Sequence, residues 1–186
     1  MPVTPPGTRP AGKEAATSAT RRHRGDTCAV VVLRPAIAED AAVVARIYID
    51  SWNQGFGHLI GTRELTSDLV SRWTKDLTNS NVDWVVANLG NEVVGFVGIG
   101  PSRDPVDAFL GELDTIAVNP ARWRQGVGRL LMNHALERLR ERYSTAILWT
   151  VADYERGHAF YRATGWKPLG KSRAGGTEVA FGHSLT

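Results

Sequence analysis

Residues 109–132, FLGELDTIAVNPARWRQGVGRLLM, decide how the rest of the chain is read. A run rich in apolar and β-compatible residues, Phe109 to Val118, meets a stop at Asn119-Pro120. An Arg-rich turn, a Gly-x-Gly pair (Gly126, Gly128) and an amphipathic pattern follow. The order is strand, loop, helix N-terminus. The first turn of a helix has unpaired backbone N–H groups and the positive end of the helix dipole. Glycines there let an anion approach the backbone, so the turn is suited to a phosphate. Arg122, Arg124 and Arg129 flank it and add positive charge.

Two familiar phosphate motifs do not fit. A P-loop needs Lys-Ser/Thr after its second glycine, and none follows Gly128. A dinucleotide fingerprint needs a third glycine where this chain has Leu131. The setting of the pair is more informative: Glu112 near the strand's start, Val118-x-Pro120 at its end, and Gly126-Val127-Gly128-Arg129 six residues past the proline. This closely resembles motif A of the GNAT superfamily of N-acetyltransferases, which seats the pyrophosphate of acetyl-CoA. Two positions depart from the common form. Trp123 stands where the family usually has Arg or Gln, and Arg124 stands where a glycine is also common.

A second resemblance lies downstream. In LWTVADYERGHAFYRATGW (148–166), a strand pattern precedes a helix ending Phe160-Tyr161-Arg162-Ala163-Thr164-Gly165-Trp166. This resembles motif B of the same superfamily. Tyr154 departs from the Asn that often touches the CoA arm. The two motifs and the elements between them span nearly all of residues 29–184.

The remaining elements follow from periodicity and turn residues. Ala29 to Arg34 reads as a strand ended by Pro35. Asp40 to Trp52 reads as a helix with Val44, Ile47, Tyr48 and Trp52 on one face. Gly55, Gly57 and Gly61 predict a loop after it, and residues 66–77 a second helix. Residues 82–87 and 92–99 read as a hairpin around Leu89-Gly90-Asn91-Glu92, and Pro101 to Ala108 as a polar loop. The glycines 95, 98 and 100 lie inside a strand pattern and imply close strand packing. The motif A helix, about 126–142, takes Val127, Leu130, Leu131, Ala135 and Leu139 as its core face. A strand at 145–151, a helix at 155–164 and a final hairpin complete the order βααβββαβαββ. The expected fold is α+β: a mixed, mostly antiparallel central sheet flanked by helices, as in GNAT proteins.

Composition narrows the function. Apolar residues make up 42% of the 186, enough for a core in one domain. Net charge is +3, all of it in residues 1–28, which hold five Lys/Arg against two Asp/Glu. Residues 29–186 hold 17 of each, which argues against nucleic acid as partner. Residues 1–28 read as a disordered basic extension without the apolar core of a secretory signal, and 29–186 as the domain. The single cysteine, Cys28, excludes an intrachain disulfide and a cysteine metal cluster, and the five histidines lack metal-ligand spacing. No stretch approaches the roughly 20 apolar residues of a membrane span. These readings predict a cytoplasmic protein with no metal and no membrane partner.

The resemblance implies a reaction: transfer of an acetyl group from acetyl-CoA, as co-substrate, to the amine of a small molecule by direct attack in a ternary complex. A protein or peptide acceptor and a non-catalytic acyl-CoA-binding module are the alternatives, and a homodimer is a family habit. By position Tyr161 is the general acid, with a packed aromatic as its alternative role. Glu112 is the base, acting through water, and Asp114 shares its face of the strand. Both carboxylates could instead hold the substrate's ammonium or pair with an arginine. The resemblance further implies that backbone groups of Ile116, Ala117 and Val118 meet the pantetheine amides where the strand splays. Gln125, Gly126, Val127, Gly128 and Arg129 would hold the pyrophosphate. Arg124 or Arg129 would add a side-chain contact or remain solvated, and Tyr154 lies beside the CoA arm. Trp52, Phe56, His58 and Trp84 are candidates for lining the acceptor pocket, together with Asp114, with core packing an equal alternative for Trp52 and Trp84.

Overall fold

The computed structural model describes residues 30–79, 81–103 and 105–186; the expected basic extension, residues 1–28, lies outside them. Seven strands form one sheet in the order β1-β2-β3-β4-β5-β7-β6. They are β1 (Val31–Pro35), β2 (Asp83–Leu89), β3 (Glu92–Arg103), β4 (Val106–Val118), β5 (Thr145–Val151), β6 (Lys167–Arg173) and β7 (Glu178–Ser184). Only the β4–β5 pair is parallel. The helices are α1 (Ala41–Ile60), α2 (Ser67–Leu77), α3 (Val127–Arg140) and α4 (Glu155–Ala163). The expected α+β architecture is therefore the observed one.

The strands alternate their side chains between two cores. Trp84, Val86 and Phe96 join Val44, Ile47, Trp73 and Leu77 on the α1–α2 face. Val97, Leu113, Leu148 and Phe181 join Val127, Leu131, Met132 and Leu139 on the α3 face. Trp84, expected as a possible pocket lining, is instead a core residue in edge contact with Trp73 at 5.2 Å. Its ring lies flat over Gly98, where a Cβ would come within 2.3 Å of it. This is the close packing that the strand glycines implied. Leu130, expected on the core face of α3, is 38% exposed, and Met132 and Leu136 complete that face instead.

Two boundaries differ from the sequence reading. The helix that was to end near Trp52 runs on through Gly55 and Gly57 to Ile60, and Gly61 ends it at φ 87°. Glycine inside a helix costs about 1 kcal/mol; here tertiary contacts outweigh that. Asn53 exchanges two hydrogen bonds with the Arg63 backbone (2.9 and 2.7 Å), and Trp52 Nε1 donates to Gly61 O at 3.1 Å. The expected loop at 101–108 is largely a hairpin, with Ser102 opposite Asp107 and Arg103 opposite Val106. Ser102 Oγ donates to Pro105 O at 2.7 Å across its tip.

At the start of α1, the buried carboxylate of Asp40 accepts both Arg34 guanidinium N–H groups (2.7 and 2.8 Å) and the Ile37 N–H (2.9 Å). The Arg34 hydrogen bonds hold the Asp40 carboxyl below its ordinary range, against the opposing pull of burial. A depressed pKa contributes stability that is present above the unfolded value of about 4 and is lost as pH falls through the folded one. Asp40→Asn is therefore expected to cost about 1–3 kcal/mol at pH 7. The difference from wild type should narrow at pH 3. Urea unfolding at the two pH values measures both.

Candidate active site

The site begins where β4 and β5 part. They pair only over Leu110–Glu112 with Thr145–Ile147. Beyond Glu112, β4 stays on β3 as far as Val118, while β5 stays on β7 as far as Val151. Asp114 is the extra residue of a bulge: Thr115 faces Gly98 and Leu113 faces Ile99, with Asp114 unmatched. The bulge reverses the alternation. Leu113 and Ile116 both pack on the α3 face and Ala117 on the α1 face.

Asn119 N donates to Val94 O at 2.9 Å, which sets the phase of the β3–β4 ladder. Counting back by twos, the backbone groups of Ala117 point to β3, and those of Ile116 and Val118 point into the gap. Of the three expected pantetheine contacts, Ile116 and Val118 thus offer gap-facing amides and Ala117 does not. The Val118 carbonyl already accepts Trp123 Nε1 at 2.7 Å. The Arg156 guanidinium lies 4.1 Å over the Trp123 ring.

The gap opens onto the start of α3. Gly126 is its N-cap at φ 88°, a left-handed conformation that suits glycine, and Val127, Gly128 and Arg129 form the first turn. A Cβ on Gly126 would meet nothing within 4 Å, so the space over the cap is open. Gly128 faces inward, its Cβ position 3.6 Å from Phe160 of α4. Arg124 also takes a left-handed φ, 66°, which accounts physically for a glycine preference at its position. Gln125 turns back to donate to Ala121 O at 3.1 Å, and Arg122 pairs with Glu92 at 2.8 Å. Arg124 and Arg129 are exposed and have no acidic partner among the described residues.

Tyr161, on α4, packs against Phe160 and Phe181 with ring centroids 5.7 and 5.8 Å away. Burial, and then the neighbouring Tyr154, push its phenol up to about 12, with the Thr150 hydroxyl pulling the other way. The proton therefore stays on Tyr161 at neutral pH.

Glu112 is 5% exposed, and its Oε2 accepts the Arg103 backbone N–H at 2.7 Å. The Arg103 guanidinium lies 2.8 Å from Asp114 and 3.5 Å from Glu112. Burial works against the charge on Arg103, and the attraction of the two carboxylates outweighs it. Glu112 and Asp114 thus do meet on one face, and they meet on an arginine. Arg103 was missed in the sequence because it falls in the stretch read as a loop; no local signal paired it with a strand ten residues on.

An aromatic series runs along α1: Tyr48, Trp52 and Phe56, with neighbouring centroids 6.0 and 5.1 Å apart. It ends on Tyr154, whose ring is 4.5 Å from Phe56. Arg63 stacks 3.3 Å over Trp52 and donates to the Tyr48 hydroxyl at 2.8 Å. His58, on the same helix, is exposed. Tyr154, expected beside the CoA arm, turns toward α1, and burial is the first cause that raises its phenol pKa. Among the described residues no group of three or more His, Cys, Asp or Glu could hold a metal ion. No helix of the described chain is long and apolar enough to cross a membrane.

This fold and this opening in the sheet define an acyltransferase class. The model of the acetyltransferase (GNAT) family matches residues 44–166, and the chain belongs to that family. It is 29% identical over 139 residues to the uncharacterized N-acetyltransferase YuaI of Bacillus subtilis, covering 72% of this chain and 79% of YuaI. Solved structures share the fold at low identity. The ribosomal-protein-alanine N-acetyltransferase of Brucella melitensis has a TM-score of 0.68 at 22% identity, covering 82% of this chain and 99% of its own. The protein yncA of Salmonella typhimurium, solved with its cofactor acetyl-CoA, gives 0.67 at 16%, covering 84% and 94%. PaiA of Thermoplasma acidophilum, in complex with coenzyme A, gives 0.66 at 14%, covering 83% and 99%.

Trp123→Phe keeps the ring under Arg156 and removes the indole N–H that Val118 O accepts. It is expected to lower the unfolding free energy by about 1 kcal/mol, read by urea unfolding, with Trp123→Ala costing more.

Proposed function

We propose that this enzyme transfers the acetyl group of acetyl-CoA to the amine of a small molecule, by direct attack within a ternary complex. The observation that carries this reading is the gap between β4 and β5, which ends at the open N-terminus of α3 and has Tyr161 on the helix beside it. Gap-facing amides of Ile116 and Val118 suit the amide-bearing arm of coenzyme A. The first-turn N–H groups of Val127, Gly128 and Arg129, with the side chains of Arg124 and Arg129, suit its phosphates. The bound coenzymes of PaiA and yncA support the same donor.

The chemistry follows from the side chains at hand. The acceptor amine arrives as ammonium and must lose a proton before it can attack the thioester carbon. Glu112, on the α1 face of β4, is the base in this reading and acts through a water. A backbone N–H freed at the bulge polarises the thioester carbonyl as it becomes an oxyanion. Collapse of the tetrahedral intermediate breaks the carbon–sulfur bond, and the proton that the attacking nitrogen sheds as it becomes an amide passes to the departing thiolate, giving free CoA thiol. A phenol at about 12 is a weak acid, so Tyr161 acts by donating a hydrogen bond to the sulfur as negative charge builds on it.

A small acceptor is favoured because Tyr154 and Phe56 bring α4 and α1 together beside the gap. The second reading, a protein N-terminus as acceptor, rests on the solved ribosomal-protein-alanine N-acetyltransferases among the structural neighbours.

Two experiments test this. Calorimetric titration should show saturable binding of acetyl-CoA and CoA and none of ATP. Gly126→Asp should abolish the binding; Gly126→Asn, which tolerates a left-handed φ and carries no charge, should retain part of it. Equal loss in both variants would mean that backbone strain, and not a phosphate, explains the glycine. Thiol release from acetyl-CoA should then be followed with panels of small amines and of peptides. Tyr161→Phe should lower turnover roughly 10²-fold or more with acetyl-CoA affinity kept. An unchanged rate would remove Tyr161 from the chemistry.

A further inference from the structure

The N-terminal end of α4 is fixed from more than one side. Tyr154, the residue ahead of it, lies so close to α1 that a Cβ on Gly55 would come within 3.2 Å of its hydroxyl, and a Cβ on Gly157 would run into its ring. Phe56 meets the same ring at 4.5 Å. Arg156 stands between Tyr154 and Gly157, so its backbone has little freedom. Its side chain is held as well, with the guanidinium 4.1 Å over the Trp123 ring.

Two contacts put this guanidinium at the mouth of the gap. Arg156 and Phe160 are four residues apart on α4 and share a face. Phe160 lies 3.6 Å from where a Cβ on Gly128 would stand, in the first turn of α3. Arg156 meets Trp123, which comes just ahead of the Gly126 cap. One face of α4 therefore touches the chain on both sides of the cap, above which the space is open. Much of the polar equipment of this loop is already engaged. Arg122 pairs with Glu92, the Gln125 side chain donates to Ala121 O, and the Trp123 indole donates to Val118 O. Arg156 is exposed and has no acidic partner among the described residues.

A guanidinium resting on an aromatic face keeps N–H groups for a second partner, and its planar fork matches phosphate oxygens. Holding it in place before the ligand arrives reduces the ordering cost of binding. We propose that Arg156, seated on Trp123, holds a phosphate of coenzyme A at the cap of α3. The inference rests on the donor reading given above and adds to it a cation supplied from α4.

The test needs no knowledge of the acceptor. The full chain is titrated calorimetrically with CoA and with dephospho-CoA, which lacks the ribose phosphate, each at low and at high salt. Arg156→Gln should weaken CoA binding roughly tenfold or more. It should also make the remaining binding less sensitive to salt, because one screened attraction is gone. Arg156→Lys keeps the charge without the fork and should recover part of the loss. Trp123→Ala removes the platform and should weaken CoA binding roughly threefold. Equal weakening of both ligands in Arg156→Gln assigns the contact to the pyrophosphate; weakening of CoA alone assigns it to the ribose phosphate. Either result supports the proposal. Wild-type affinity in a folded Arg156→Gln overturns it. So does a loss that keeps the wild-type salt dependence, which marks a structural effect. Full affinity in a folded Trp123→Ala overturns the role of the stack. In each of these cases CoA binding by wild type leaves the donor reading standing. Absence of CoA binding by wild type overturns both.

Discussion

The site depends on β4 and β5 ceasing to pair after Glu112. Each strand is secured on its outer side, β4 by β3 and β5 by β7, so the parting does not unravel the sheet. It does leave backbone donors and acceptors without a ladder partner in the middle of the molecule. Buried peptide groups need partners, and an opening of this kind persists only when something else supplies them. Trp123 does so for the Val118 carbonyl. The remaining gap-facing groups of β4 have no ladder partner among the described residues. The same connection, strand to helix to parallel strand, brings the N-terminus of α3 to the end of the opening. Backbone polarity in the gap and backbone charge at its mouth thus come from a single topological feature.

The bulge at Asp114 determines which side chains line each side. Without it, strict alternation from Glu112 would carry Ile116 to the α1 face. With it, Ile116 goes into the α3 core and Ala117 to the α1 core. The two carboxylates ahead of the bulge remain together, and Arg103 reaches them because β3 extends to that residue. Two negative charges and one positive charge leave this cluster with a net negative charge, most of it out of water. The Arg103 side chain that holds them is itself 61% exposed.

Much of this was legible before any coordinates. The strand, turn and helix of residues 109–140 follow from a β-rich run, an Asn-Pro stop and a Gly-x-Gly at a helix start, all local signals. The misreadings share a cause: they concern residues whose local preference is overruled by a distant partner. Gly55 reads as a breaker because nothing nearby in sequence reveals that Tyr154 will need the space. Residues 101–108 read as a loop because their partner strand is chosen by the buried Glu112, which accepts the Arg103 N–H. Leu130 fits the helical period yet lies at its edge, where Met132 is better placed to meet Trp166.

The departures from the family pattern in the phosphate loop pull in one direction. Trp123 and Arg124 add bulk where smaller or more polar groups are usual, and bulk at an anion seat could fill it. The Trp123 indole is drawn back against the strand end by its bond to Val118 and is covered by Arg156. Arg124 adopts the left-handed backbone that a glycine would take, so the turn keeps its path. The space above Gly126 stays open within 4 Å of where a side chain would begin. Trp123 therefore makes its polar contact to the strand. The charge that an arginine at position 123 would have carried reappears beside it, on Arg156 of α4, stacked over the indole at 4.1 Å.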